Sequence, residues 1–392
     1  MSSQLFTDEE YLSRVKKVQN VMQEKGIDIL IASDPANINY LTGHDAWSFY
    51  VHQCAIVTLD DPMPYFWGRY MDAFSGVAKL TYLDEAHVRY YADSYMHNPT
   101  CHPMEVLAEV IKELKGENKT IGVEMDNYWF SAAAYETLKR ELPNAKFTDA
   151  NVLVNWVRII KSDAEIECQK KAGKIAELAM QAGIDALYAG ARECDVAAAV
   201  YNASYKGTPE FGGDYSSIAL LMPHGETAGA PHLTWTDEKY PNNTFVYLEL
   251  AGCYRRYHSP MSRTVVIGDK NPKIDQIADV VVEGLNACLD FAKPGVTCHE
   301  IWSVFNEIMK KGGLEKESRI GYSMGLNYPP DWGEHTASIR KGDMTVLQPN
   351  MTFHLIPGMY FDDCGASISE AFYVTENGVK TFANFPRKLF YK

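Results

Sequence analysis

Apolar residues recur every three to four positions through Tyr11, Val15, Val18 and Met22, with Thr7 and Glu10 ahead of them and Gly26 behind. Thr7 and Glu10 have the spacing of a capping box, so the pattern predicts a helix closed at that glycine. The next residues, 27–32, form a short apolar run rich in isoleucine, which reads as a buried strand. Further strands are predicted at 53–59, 64–68 and 120–124, and helices at 104–115 and 131–142. Such alternation implies helices layered on a sheet, an α/β domain.

The pattern changes near residue 160. Ser162 and Glu165 repeat the capping-box spacing and open a long amphipathic helix expected to end near Gly183. Helices are then predicted at 193–205, 272–292 and 299–311. Between them, 244–252 and 257–268 read as a hairpin joined by a polar segment at 253–256. Short strands follow at 345–347, 351–355, 367–374 and 380–382. The expected architecture is therefore α/β plus α+β: a small α/β domain over 1–160 and a larger α+β domain over 161–392.

Composition narrows the function classes. Of 392 residues 46% are hydrophobic and 22% charged, as in an ordinary globular chain of two or three domains. A net charge of −14 and a pI near 5.3 argue against a partner read through its phosphates, so no nucleic acid is expected. No apolar stretch reaches the roughly 18 residues of a membrane span, and the N-terminal sequence lacks the basic and apolar regions of a signal peptide. The eight cysteines contain no CxxC pair. Free thiols in a reducing cytoplasm are the expectation. GxxxxGK[ST], GxGxxG, GxSxG and HExxH motifs are all absent, so no nucleotide cofactor and no cofactor of any other kind is expected.

The chemistry therefore has to be sought in the C-terminal hairpins. Val246 to Gly252 followed by Ser259 to Val266, His232 seventeen residues before Glu249, the segment Gly321 to Leu326, Ile356 to Tyr360 and the segment Gly365 to Gly378 stand in a fixed order. In that order they resemble the pita-bread hydrolases, the superfamily of aminopeptidase P, prolidase, methionine aminopeptidase and creatinase. The resemblance spans the chain and implies a creatinase-type N-terminal domain followed by a pita-bread catalytic domain. In the metallopeptidases of that superfamily two Asp, one His and two Glu side chains bind two divalent metals. The matching positions here hold Glu249, Pro260, Tyr322, Ile356 and Ser369. Proline and isoleucine offer no lone pair, and tyrosine and serine are poor ligands for such ions, so no metal is expected.

Within the metal-free branch, three segments look most like ectoine hydrolases: 43–50 (GHDAWSFY), 321–334 (GYSMGLNYPPDWGE) and 365–371 (GASISEA). This resemblance implies hydrolytic opening of a cyclic amidine, ectoine and its hydroxylated form being the candidate substrates, to an N-acetyl-diaminobutyrate. It also implies a homodimer and a deacetylase acting downstream in the same pathway. A creatinase-type amidinohydrolase acting on another guanidine or amidine, and a binding protein without activity, stand as alternatives.

Amidine hydrolysis needs a nucleophile at the amidine carbon, a negative group for the cation, a proton donor for the leaving nitrogen and a donor for the carboxylate. Glu249, at a former metal position, is the expected nucleophile or base. His232 matches the family's proton-shuttling histidine. His354 lies two residues before the lost Glu and should face the same side as it. Glu370 sits at an acidic position of the family; strand alternation turns it away from Ser369, but a bulge could swing it inward, and it is kept with Glu249, His232 and His354 among the expected catalytic residues. For substrate binding the candidates are Trp47 and Tyr50, which could stack on an amidinium, with His224, Tyr322, Arg255 and Arg340. Arg263 is expected to serve the hairpin itself.

Overall fold

In the computed structural model, which describes residues 4–392, the chain forms two compact units, Met1–Arg158 and Ile159–Lys392. The first is built on a six-stranded sheet, β1 (Ile29–Ala32), β2 (Cys54–Thr58), β3 (Tyr65–Arg69), β4 (Val88–Tyr91), β5 (Thr120–Val123) and β6 (Lys146–Asp149), in the order β4-β3-β2-β1-β5-β6. The pairs β3/β4, β1/β5 and β5/β6 are parallel, and β1/β2 and β2/β3 antiparallel. Helix Asp8–Lys25 starts where the capping spacing places it: Thr7 accepts from Glu10 N, and Gly26 ends the helix at φ +66°. Helix Pro35–Thr42 escapes the sequence pattern because every one of its residues is buried, leaving no polar face to mark a period. β6 escapes it for the opposite reason: it is a four-residue edge strand with no buried position.

The second unit rests on the long hairpin β7 (Thr244–Tyr254) and β8 (Tyr257–Ile267), whose two-residue turn places Arg255 and Arg256 at positive φ (51° and 66°). Helix Asp163–Ala186 begins with the full Ser162/Glu165 capping box. It runs through Gly183 rather than stopping there. A Cβ on Gly183 would lie 2.7 Å from Leu248 Cδ1, so this glycine marks close packing on β7 and not a helix end. A five-stranded antiparallel sheet completes the frame: β9 (Gly321–Met324), β10 (Gly333–Ile339), β11 (Thr352–Leu355), β14 (Glu370–Val374) and β15 (Val379–Thr381), ordered β10-β9-β11-β14-β15. The pair β12 (Met359–Phe361) and β13 (Cys364–Ala366) lies beside it in sequence. The predicted strand at 345–347 is reduced to one isolated bridge, Thr297 to Val346. The predicted strand start at 367 moves to Glu370, since Ser367 and Ser369 are bound to the hairpin β7–β8 instead.

Candidate active site

Register decides which side chains meet. On the hairpin, Glu249 pairs with Ser262 and Leu248 with Arg263, so Glu249 and Ser262 point to one face and Leu248 and Arg263 to the other. On the sheet, Tyr322 of β9 and His354 of β11 stand directly opposite. Their side chains meet, with Tyr322 Oη 3.0 Å from His354 Nδ1. Ser369 closes the group: its Oγ lies 2.8 Å from His354 Nε2 and accepts from Ser262 N at 2.8 Å.

The indole of Trp332 can only donate, and its Nε1 reaches Tyr322 Oη at 2.8 Å. Tyr322 Oη and Ser369 Oγ then occupy the two ring nitrogens of His354, and the tautomer sets which of them accepts the imidazole proton. Burial holds His354 neutral by lowering its pKa to about 3, with the Arg319 charge adding to the effect. Both ring nitrogens are occupied, so His354 acts on Tyr322 and Ser369 by orienting them.

Glu249 differs from all of these. It is 7% exposed, yet its carboxylate makes no hydrogen bond or ion pair among the described residues. Burial alone raises its pKa to about 8. Its charge is felt by three tyrosines, the buried Tyr247 and the partly buried Tyr322 and Tyr360, whose hydroxyls are held well above the usual phenol range chiefly by burial, with this carboxylate adding to the rise. The Tyr247 hydroxyl likewise has no partner. Burying a carboxylate without a partner is costly, and a cation beside it would relieve that cost.

Two cations near these tyrosines escaped the sequence reading. Arg319 lies over the Tyr322 ring, 4.3 Å from its centre. Lys316 lies 5.2 Å from the Tyr360 ring centre and donates to the Gly358 carbonyl at 2.6 Å, with burial pushing its pKa down to about 8. Neither belongs to a motif. The only available signal was their place in the stretch leading into the segment Gly321 to Leu326.

Several expected site residues lie elsewhere. Glu370 faces Arg263 at 2.5 Å and Arg387 at 3.7 Å; both it and Arg263 are buried, on the face of the hairpin opposite Glu249. No bulge turns it inward, and its role is to compensate Arg263. Arg255 is exposed at the hairpin turn, where its backbone N–H binds Asp214. Its neighbour Arg256 is the buried one, stacked 3.5 Å over Tyr215. Arg340 is exposed beyond β10. His232 is exposed in a turn with no side-chain partner. His224, expected in a flexible loop, is fixed by Glu193 at 3.1 Å and by an edge-on contact with Tyr240. In the first unit, Trp47 and Tyr50 are 56% and 62% exposed; Trp47 packs on Phe49, and Tyr50 Oη accepts from Arg69.

Comparison with known proteins agrees with this frame. The sequence profile of metallopeptidase family M24 matches residues 167–376, and that of the creatinase/prolidase N-terminal domain matches 14–160. The chain is similar to an ectoine hydrolase of Halomonas elongata, with 44% identity over 99% of this chain and 98% of the relative. It is 42% identical to an uncharacterized hydrolase/peptidase of Sinorhizobium fredii over 99% and 98% of the two chains. A prolidase structure from Thermococcus sibiricus superposes with a TM-score of 0.84 at 20% identity, covering 97% of this chain and 99% of that one, which speaks for the fold alone. The metal pair that the first profile's name implies does not fit these residues. Pro260 and Ile356 have no donor, and the Tyr322 and Ser369 hydroxyls are engaged with each other's neighbours. Among the described residues, no cluster of three His, Cys, Asp or Glu side chains is arranged to hold a metal ion.

Proposed function

Since the chain belongs to metallopeptidase family M24, with a creatinase/prolidase N-terminal domain, and is a hydrolase, we propose that it opens the cyclic amidine of ectoine without a metal, with Glu249 as the catalytic carboxylate. The observation that carries this reading is the buried, unpaired Glu249 carboxylate among three tyrosines. A divalent metal pair would repel an amidinium; a lone carboxylate in a dry pocket attracts it. The 44% identity to an ectoine hydrolase over nearly the whole chain supports the choice of substrate.

Below pH 8 the empty site holds Glu249 largely protonated, so it carries no bare buried charge. An arriving amidinium supplies the missing partner and draws the carboxylate into its ionised form. The carboxylate then attacks the amidine carbon itself, or takes a proton from the water that does. Either way the resulting tetrahedral carbon loses one ring nitrogen after that nitrogen is protonated, and in the covalent route water then cleaves the bond between Glu249 and that carbon, freeing the carboxylate. One water is consumed, one C–N bond breaks, and an amide and an ammonium group result. The Tyr322 phenol, fixed by Trp332 and His354, contributes a rigid polar wall beside the reacting carbon.

The product is an N-acetyl amide, so a deacetylase is the class of enzyme that would act on it next. We place the protein in the cytoplasm, in keeping with eight free cysteines and with no helix, among the described residues, long and apolar enough to cross a membrane. We further propose a homodimer, for which the exposed aromatic side chains Trp47, Tyr50 and Tyr128 provide a surface on the first unit.

The test is ring opening of ectoine followed by NMR with the purified protein in excess EDTA. Steady conversion to an acetylated diaminobutyrate is expected. Intact ectoine would remove the substrate assignment, and conversion only after manganese, zinc or cobalt is restored would remove the metal-free mechanism. Turnover of creatine or another guanidine in place of ectoine would favour the amidinohydrolase alternative.

A further inference from the structure

Tyr322 connects two charged side chains that form no ion pair among the described residues. Arg319 is stacked on its ring, and Glu249 lies on the hairpin face of Ser262, whose N–H binds Ser369 Oγ, which in turn reaches His354 and, through it, Tyr322. The Arg319 guanidinium is stacked 4.3 Å from the ring centre, and its Nη1 donates to Ser338 Oγ at 3.2 Å. It forms no ion pair within 4 Å among the described residues. The acid that feels it, Asp331, is already taken by His335 Nε2 and by the Gly333 N–H, each at 2.8 Å. Arg319 is exposed, so its remaining donors are open to a ligand.

Arg263 is buried against Glu370, and Arg256 is bound to Asp214 and Tyr215. Arg255 and Arg340, the arginines expected to bind substrate, show no contact with Tyr322 or its neighbours, whereas Arg319 is stacked on that ring. A carboxylate and a guanidinium without ion-pair partners, linked through Tyr322 and its hydrogen-bonded neighbours, have the two charges that a small zwitterion needs. The substrate would carry its cation and its carboxylate on one rigid frame. Ectoine has that form, an amidinium ring bearing a single carboxylate.

We propose that Arg319 is the specificity-determining residue that binds the substrate carboxylate and thereby holds the amidinium against Glu249; this rests on the ectoine reading above. The guanidinium fork suits a carboxylate in a two-pronged contact, and its stacking on Tyr322 fixes the plane of the fork in advance. Because Tyr322 is itself held by Trp332 and His354, the ring on which Arg319 stacks is fixed in place. Arg319 takes no part in bond breaking. Its loss should weaken substrate binding more than turnover.

The experiment compares wild type, Arg319→Gln and Arg319→Lys on two compounds: ectoine, and the carboxylate-free ring 2-methyl-1,4,5,6-tetrahydropyrimidine. For ectoine, Arg319→Gln should lower kcat/KM roughly 10- to 100-fold, chiefly through KM, and Arg319→Lys should restore part of it. For the carboxylate-free ring all three proteins should be equal. An unchanged ectoine KM in Arg319→Gln overturns the proposal, as does an equal loss on both compounds. If wild type opens neither ring, the hydrolysis reading falls on its own. The clamp is then judged by calorimetric binding of ectoine, where the same 10- to 100-fold weakening in Arg319→Gln upholds it and equal affinity rejects it.

Discussion

Glu249 and Glu370 are both buried, at 7% and 1% exposure, yet they lie on opposite faces of one hairpin and have opposite surroundings. Glu370 meets Arg263 at 2.5 Å, with Arg387 at 3.7 Å, and Arg263 also donates to four main-chain carbonyls, of Ser262, Ser369, Phe385 and Pro386. Glu249 has tyrosines around it and no cation. Burial raises the pKa of both, but at Glu370 the Arg263 charge works against the rise, whereas nothing opposes it at Glu249. A buried carboxylate that folding has already paired can only hold structure together. One that folding has left unpaired is available to a ligand.

The sharpest way to break this comparison is to neutralise each carboxylate in turn. Glu249→Gln should reduce ectoine turnover by at least about 10³-fold, roughly 4 kcal/mol of barrier, while the protein folds normally. Glu370→Gln should do the reverse: a loss of about 3–5 kcal/mol in stability, because Arg263 is left buried without its counter-charge. Chemical denaturation and steady-state kinetics on both variants decide the matter. A stable Glu370→Gln enzyme that had lost only its activity would reverse the two assignments.

A smaller effect probes the support beneath Arg319. Tyr322→Phe removes the acceptor of Trp332 Nε1 and the partner of His354 Nδ1 while keeping the ring under Arg319. Two buried polar groups lose their partner, which should cost about 1–3 kcal/mol in stability. The ectoine KM should move less than in Arg319→Gln, because the stacked ring remains. A KM rise as large as in Arg319→Gln would show that the phenol and not the guanidinium binds the carboxylate.

Much of this arrangement was legible in the sequence wherever a local rule fixes a direction. The two capping spacings located their helices, and the period-two rule turned Glu370 away from Ser369, although Glu370 was kept among the expected catalytic residues; the structure pairs it with Arg263. The same rule turned His354 toward the former metal side, where it meets Tyr322 and Ser369. The arginines were not legible. Arg255 and Arg340 were chosen for their nearness to motifs, but a two-residue turn and a strand end carry both to the surface. Arg319 lies outside every motif and reaches the site by stacking, a relation that sequence spacing does not encode. His232 was chosen by spacing to Glu249 alone, and spacing does not determine which way a turn presents its side chain.

The mildest test reads Glu249 through stability rather than chemistry. Its pKa in the fold is about 8, against 4.5 when it is free in the unfolded chain. Between those values the folded protein holds a proton that the unfolded chain has released. Stability from this group is therefore full below about pH 4.5 and falls as pH rises toward 8, by about 1.4 kcal/mol per unit. Glutamine titrates nowhere in this range, so the difference in unfolding free energy between Glu249→Gln and wild type should grow steadily from pH 5 to pH 8 and level off above it. His354 works in the opposite sense: held near pKa 3 in the fold, it costs stability only as pH falls below 6.5, and it does so equally in both proteins, so it cancels from the difference. Saturating ectoine should flatten the slope in wild type by supplying the missing cation and leave the Gln variant unchanged. A flat difference without ligand would mean that Glu249 is paired in solution, and the contrast with Glu370 would then disappear.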